Sequence, residues 1–205
     1  MSLYAQRKSA NGFSYQINEK EIAQFEDRFE YQETIDQKNA ILGTYRDMQS
    51  NKPMDRLICG DVGFGKTEVA LRASYLASIN SKQTVILAPT TPLVHQHLNT
   101  FQKRFENLPV RIEALSRFVK PKDGLKIEMG LTKGVVDIII GTSKILSDKI
   151  KFKNLGLVII DEEHKFGVSA KEKIKKLKIG IDSLSLSATP IPLSLIHISE
   201  PTRPY

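Results

Sequence analysis

The sequence predicts an α/β fold in which a mostly parallel central sheet is covered by helices on both faces. Short apolar runs that suit buried strands alternate along the chain with stretches of helical periodicity, an alternation typical of parallel sheets. One apolar run leads into the glycine-rich stretch 60–67, and another leads into the acidic stretch 161–163. Because parallel sheets bind ligands at the carboxyl ends of their strands, we expect both stretches at one edge of the sheet.

Length, charge and cysteine content set limits on the class of protein. The 205 residues are enough for one α/β domain with a real core and an N-terminal extension. The formal net charge of +7 is spread along the chain, which permits a polyanionic partner without requiring one. The single cysteine, Cys59, lies in an apolar run, so we expect a buried structural thiol in a reducing compartment. No run has transmembrane length and the start lacks the apolar core of a signal peptide, so the prediction is a cytoplasmic protein with no membrane partner.

The first part of the chain is polar and mixed. Residues 1–28 are predicted to form a connector with a short helix from Glu19 to Phe25, outside the core. A second helix follows, with Ala40, Ile41, Leu42 and Tyr45 at helical spacing, and Thr34 or Asp36 can cap it. Phe29 is followed eight residues later by Gln37, so the two side chains could stack on adenine and hydrogen-bond to it. An amphipathic helix with a surface glutamine is the alternative.

The stretch Gly60-Asp61-Val62-Gly63-Phe64-Gly65-Lys66-Thr67 fits the phosphate-binding pattern G-x-x-x-x-G-K-[ST] at every specified position. An apolar run precedes it and a helical pattern follows it, as this loop requires. Its glycines allow successive backbone N–H groups to face phosphates beside a helix N-terminus. Lys66 would reach the β and γ phosphates, and Thr67 would place its hydroxyl on Mg²⁺. The alternative is a glycine-rich turn that matches the pattern by chance.

Three further strand ends carry hydroxyl or basic residues. The strand at 84–88 leads to Thr90, the strand at 110–115 leads to Arg117, and the strand at 135–140 leads to Thr142 and Lys144. Such junctions can hold a phosphate backbone at a helix N-terminus, so together they predict a nucleic-acid track. The alternatives are helix capping by Thr91 and a solvated arginine.

The acidic stretch follows the apolar run 155–160. Asp161 can hold Mg²⁺ across the site from Thr67, and Glu162 can orient and deprotonate the attacking water. A simple turn is the alternative. The last apolar strand, 184–186, ends in Ser187-Ala188-Thr189, whose hydroxyls could bond to His164 and link the nucleotide state to the bound strand. The histidines lack cysteine partners, so no further metal cluster is predicted.

The order of these motifs, namely the glutamine motif, GDVGFGKT, APTTPL, GTSK, DEEH and SATP, resembles the first motor lobe of superfamily 2 helicases. More narrowly, residues 54–68, 4–7, 115–118 and 161–168 resemble the bacterial transcription-repair coupling factor family, and the resemblance covers about residues 3–192. The RecG branch-migration helicase shares the lobe but typically has glutamine where this chain has Glu163. Ser143 and Lys165 depart from the histidine and arginine that are usual in the family.

The resemblance implies a RecA-like P-loop NTPase lobe at 29–192 that binds ATP and Mg²⁺ and moves along double-stranded DNA. It also implies displacement of stalled RNA polymerase and recruitment of excision-repair proteins, through domains outside this chain. By position, the implied roles are adenine recognition by Phe29 and Gln37, phosphate and Mg²⁺ binding by Gly63, Gly65, Lys66 and Thr67, metal binding by Asp161, water activation by Glu162, DNA contact by Thr90, Thr142 and Lys144, and coupling by Ser187 and Thr189. A nucleotide-gated DNA-binding module without turnover, or the lobe of a RecG-type helicase, is the alternative.

The end of the chain departs from this resemblance. Residues 193–203 resemble a translated adapter from sequencing libraries, so 193–205 are expected to be a non-native, dispensable tail, with a genuine divergent terminus as the alternative. In such motors a second RecA-like lobe supplies an arginine finger. We therefore expect residues 1–205 alone to bind ATP but to turn it over poorly.

Overall fold

A computed structural model describes residues 10–61, 63 and 65–188 of the chain. The predicted tail and Thr189 lie outside this range. The sheet has six strands in the order β1-β6-β5-β2-β4-β3, and every pairing is parallel. The strands are β1 Asp55–Cys59, β2 Gln83–Leu87, β3 Ile112–Leu115, β4 Ile138–Gly141, β5 Leu155–Asp161 and β6 Asp182–Ser187. The α/β prediction with a parallel sheet is confirmed.

Helices cover both faces of this sheet. They are α1 Glu19–Glu26, α2 Ile35–Met48, α3 Lys66–Ile79, α4 Thr91–Arg104, α5 Pro121–Lys133 and α6 Val168–Leu177, with short 3₁₀ turns at Ser143–Leu146 and Glu163–Lys165. Core side chains of α1 to α4 form one cluster, and those of α5 and α6 form another. In β5, Leu157 and Ile159 join the first cluster while Val158 and Ile160 join the second. A strand buried on both faces has no polar side, which explains why β5 is a continuous apolar run.

The expectation that the N-terminal segment stays outside the core is wrong for its described part. Helix α1 forms where it was predicted, with Asn18 as its N-cap. Tyr15, Ile22 and Phe25 are nonetheless buried in the first core cluster. The Phe25 ring stacks on that of Tyr75 in α3, with 4.2 Å between ring centroids. A few widely spaced apolar residues therefore dock this polar segment onto α3.

The expectation of a buried thiol at Cys59 is also wrong, because the side chain is exposed. Strand β1 lies at the edge of the sheet, next to β6 alone. Arg56 faces α2 and donates to the Asp47 carboxylate over 2.8 Å. Leu57 and Cys59, on the opposite face of the strand, stay exposed. An apolar run at a sheet edge is covered on one face, whereas a central strand is covered on both.

Candidate functional site

The carboxyl ends of the strands bring the glycine-rich loop and the acidic stretch to one edge. Cys59 of β1 pairs with Ser187, and Asp161 of β5 pairs with Leu186, so β1, β6 and β5 end at the same level. The Gly60 N–H donates to the Ser187 carbonyl over 3.2 Å, and the Glu162 N–H donates to the Leu186 carbonyl over 2.8 Å. With β6 between them, β1 and β5 are about 10 Å apart, which leaves room for a phosphate group and a metal.

The loop between β1 and α3 has a backbone that only glycine adopts easily. Gly63 and Gly65 have φ angles of +92° and +70°, in the left-handed region. A side chain at Gly65 would also collide with the Gln37 amide. Helix α3 then begins at Lys66 without a side-chain cap, so the N–H groups of its first turn point towards the loop. This geometry suits an anion at the helix start.

Lys66 is folded back onto the loop. Its Nζ donates to the carbonyl oxygens of Gly60 and, over 2.9 Å, of Asp61. The loop opens onto a pocket of about 380 Å³ whose lining includes Gln37 and Ala188. A bound phosphate would replace the two carbonyls as the partner of the ammonium group.

Gln37 reaches this pocket, but Phe29 does not line it. The Gln37 Oε1 accepts the Thr34 N–H over 2.9 Å, and the Gln37 N–H donates to Thr34 Oγ1 over 3.2 Å. This capping box shows that Thr34, not Asp36, caps α2. Phe29 lies beside Tyr31, with 5.7 Å between ring centroids, and both line neighbouring pockets. A joint role of Phe29 and Gln37 at adenine remains a prediction.

The two acids at the end of β5 are held by different partners. Asp161 Oδ2 lies 2.8 Å from His97 Nε2. Glu162 is buried and has a φ of +52°, a left-handed conformation that costs on the order of 1 kcal/mol for a residue with a Cβ. Its Oε1 accepts the Ala188 N–H over 2.9 Å, and its Oε2 lies 3.3 Å from His164 Nδ1. The end of β6 therefore holds Glu162 in a fixed, strained orientation.

The donor atoms at this edge fit magnesium. The Thr67 hydroxyl and the Asp161 carboxylate are hard oxygen ligands, which Mg²⁺ prefers, and Mg²⁺ commonly takes its other ligands from phosphates and water. Among the described residues, no group of three or more His, Cys, Asp or Glu side chains could form an all-protein metal cage. One carboxylate and one hydroxyl beside a phosphate loop match a metal that arrives with a nucleotide.

Contacts between the acidic stretch and β6 include one that the sequence interpretation missed. His164 is exposed and lines a pocket together with Ser187, near Glu162. Glu163 Oε2 accepts hydrogen bonds from Ser185 Oγ and Lys178 Nζ, each over 3.0 Å. The sequence could have indicated the Ser185–Glu163 contact, because alternate residues of a strand share a face and Ser185 lies two residues before Ser187.

The residues of the predicted nucleic-acid track share the other half of the same edge. Gly141 of β4 pairs with Leu87 of β2 and with Leu115 of β3, so these strands also end together. The residues that follow them are Thr90, Arg117, Thr142 and Lys144. Thr90 is the exposed N-cap of α4 and its side chain makes no capping bond, so helix capping by Thr91 is excluded. The Lys144 ammonium donates to the Ser116 carbonyl over 3.4 Å.

Sequence and structure comparisons agree with this architecture. The DEAD/DEAH box helicase family model matches residues 34–196. The chain belongs to the DEAD/DEAH box helicase family. This helicase domain is 54% identical to the transcription-repair-coupling factor of Borreliella burgdorferi, over 97% of the chain and 18% of that protein. It is 49% identical to the Escherichia coli factor, over 95% of the chain and 17% of that protein. The similarity to coupling factors predicted from the motifs is confirmed.

A solved structure of RecG bound to a three-way DNA junction shares the fold of this helicase domain. The TM-score is 0.82 at 36% sequence identity, over 94% of this chain and 26% of that one. The RecA-like prediction is thereby confirmed. The helicase domain spans less than a fifth of the length of the curated relatives that it matches. Within the described residues, no helix has the length and apolar character needed to cross a bilayer.

Proposed function

We propose that residues 29–192 form the ATP-binding first motor lobe of a DNA-dependent ATPase and double-stranded DNA translocase that acts in transcription-coupled DNA repair. The observation that carries this proposal is the division of one sheet edge. The β1-β6-β5 half bears the phosphate loop and the two acids, and the β2-β4-β3 half bears the predicted DNA contacts. The 54% identity to a coupling factor, together with Glu163, favours this class over a RecG-type helicase.

The contacts of the site support a division of labour among its side chains. Lys66 would exchange the Gly60 and Asp61 carbonyls for nucleotide phosphates, while Thr67 and Asp161 would hold Mg²⁺. The metal ion neutralises charge on the phosphates when it is bound. Glu162 would accept the proton of the attacking water at Oε2, which lies 3.3 Å from His164 Nδ1, while its Oε1 accepts the Ala188 N–H. Ala188 belongs to the segment after β6, so movement of that segment would change the orientation of the base.

The proposal also assigns partners. A second RecA-like lobe would close the nucleotide site and supply the arginine finger. Contacts with RNA polymerase and with excision-repair proteins would come from domains outside residues 1–205. The relatives support this assignment, since the chain covers only 18% of the Borreliella burgdorferi factor. The whole protein would act on DNA in the cytoplasm.

Replacement of Lys66 tests the nucleotide site. Charge-assisted hydrogen bonds contribute about 1.5–3 kcal/mol, so Lys66→Ala should weaken Mg-ATP binding about tenfold or more, measured by titration of a fluorescent ATP analogue. Lys126→Ala, which removes an exposed lysine of α5, is the matched control and should bind like wild type. An unchanged affinity in a folded Lys66→Ala protein would refute the loop assignment.

Hydrolysis measurements separate an enzyme from a DNA-binding module. Residual ATP turnover, measured with radiolabelled ATP with and without duplex DNA, should fall in Glu162→Gln. If the protein binds ATP but shows no turnover that Glu162→Gln reduces, the result would favour a nucleotide-gated DNA-binding module.

A further inference from the structure

His97 lies on the core-facing side of α4 and is buried. It is three residues after Val94 and four before Phe101, and both of these are fully buried in the first core cluster. A histidine on such an apolar stripe needs a hydrogen-bond partner, because an unpaired buried polar group is costly. Its Nε2 lies 2.8 Å from Asp161 Oδ2, at the end of β5.

The sheet order explains why these two residues meet. Helix α4 follows β2, and β2 is the direct neighbour of β5, with Leu87 paired to Ile160. The His97 side chain, in the second turn of α4, therefore reaches Asp161 at the end of β5. His97 lies seven positions after Thr90, so the helix carries a predicted DNA contact at its N-cap and the Asp161 contact about 10 Å further along its axis.

We propose that His97 is a positioning residue for Asp161, holding the carboxylate through Oδ2 so that its other oxygen, Oδ1, faces Mg²⁺. This inference rests on the proposed function, in which Asp161 is a metal ligand. A hydrogen bond to one oxygen of a carboxylate restricts its rotation and leaves the second oxygen as ligand. The side chains of both residues are mostly buried, 10% exposed for His97 and 14% for Asp161, so water competes weakly for the bond.

The test measures the Mg²⁺ dependence of nucleotide binding in His97 variants of the 205-residue chain. Loss of such an outer partner typically costs 10–100-fold in metal affinity or activity. We expect His97→Ala to raise the half-saturating Mg²⁺ concentration for binding of a fluorescent ATP analogue about tenfold or more. Affinity measured in EDTA should be unchanged, which a general structural defect would not produce. His97→Gln, which retains an N–H donor, should stay within about threefold of wild type.

Two further variants keep the result interpretable. His97→Phe fills the space without a donor and should reproduce the loss, so it carries the test if His97→Ala does not fold. His95→Ala removes an exposed histidine from the same helix and should behave like wild type. If wild type needs Mg²⁺ for nucleotide binding and His97→Phe shows the same Mg²⁺ dependence as wild type, this inference alone is overturned. A wild-type protein whose nucleotide binding ignores Mg²⁺ overturns the proposed function, and this inference with it.

Discussion

Arg72 joins three parts of the molecule around the nucleotide-binding helix. Its side chain is 3% exposed and bonds to Glu68 Oε1 at 2.8 Å in α3, to Glu26 Oε1 at 2.9 Å in α1, and to Glu33, which precedes α2. Burial by itself lowers the pKa of the guanidinium, but the bonds and charges of these carboxylates outweigh it and raise the pKa above the ordinary value. Arg72 is therefore charged at neutral pH, and it holds α1 and the start of α2 against α3.

Replacement of Arg72 by leucine should destabilise the domain strongly. The change keeps apolar volume but leaves the carboxylates without their shared cation. Glu68, whose side chain is 4% exposed, would keep its contact with Arg104 at 3.0 Å but lose the one with Arg72. Removing one partner of a buried ion pair costs about 3–5 kcal/mol, a large fraction of the roughly 5–15 kcal/mol by which domains are stable. For a domain of this size the midpoint of thermal unfolding should fall by roughly 6–20 °C.

Urea unfolding followed by circular dichroism measures this change in the free energy of unfolding. The matched control is Arg111→Leu, which removes an arginine that is 53% exposed and paired with Glu113 at 3.0 Å. Exposed pairs contribute about 0–1 kcal/mol, so this variant should lie within 1 kcal/mol of wild type. If Arg72→Leu lies as close to wild type as the control does, the carboxylates do not depend on the buried cation and the reasoning fails.

Three further predictions concern charge, the chain end and turnover. Burial raises the pKa of the Asp137 carboxyl above its usual range, and a backbone hydrogen bond from Arg111 lowers it by a smaller amount. The protonated carboxyl therefore contributes to the stability of the fold at low pH, and this contribution is lost as pH rises through the folded-state pKa. The stability of Asp137→Asn relative to wild type should therefore increase as pH rises above the ordinary aspartate pKa of about 4, measured by urea unfolding, and a constant difference would contradict this. Deletion of residues 193–205 should leave both the unfolding midpoint and the ATP affinity unchanged. A drop in either quantity would show that these residues are a genuine terminus, and so would finding their codons in the resequenced gene. Residues 1–205 should hydrolyse ATP slowly even with duplex DNA, because the arginine finger of a second lobe contributes roughly 10³–10⁵ in rate. Turnover of several per second that Glu162→Gln abolishes would show that one lobe suffices.

The phosphate loop was predictable because its chemistry is local. Lys66 and Thr67 follow from a pattern of eight consecutive residues, and the strand before them and the helix after them have their own periodicity. The same holds for Asp161 and Glu162, which follow a long apolar run. Parallel strands align their carboxyl ends, so strand–loop–helix order alone brought these motifs to one edge.

The errors and omissions share one cause, which is contact between residues far apart in the chain. Cys59 is exposed because β1 is an edge strand, and nothing in its local pattern states which strands lie beside it. The N-terminal segment joins the core because Phe25 meets Tyr75, fifty residues later. Similarly, His97 meets Asp161 across 64 positions, and only the order of β5 and β2 makes them neighbours.

The sequence by itself determined the parallel α/β architecture, the phosphate loop and the acids at a strand end, because periodicity and short-range spacing encode secondary structure and local backbone shape. Tertiary structure decided which strand lies at the edge, which partners hold the carboxylates of Asp161 and Glu162, and how the Arg72 carboxylates gather around one cation. Those outcomes depend on packing two helical layers against a twisted sheet, where the free energy comes from burying distant side chains together.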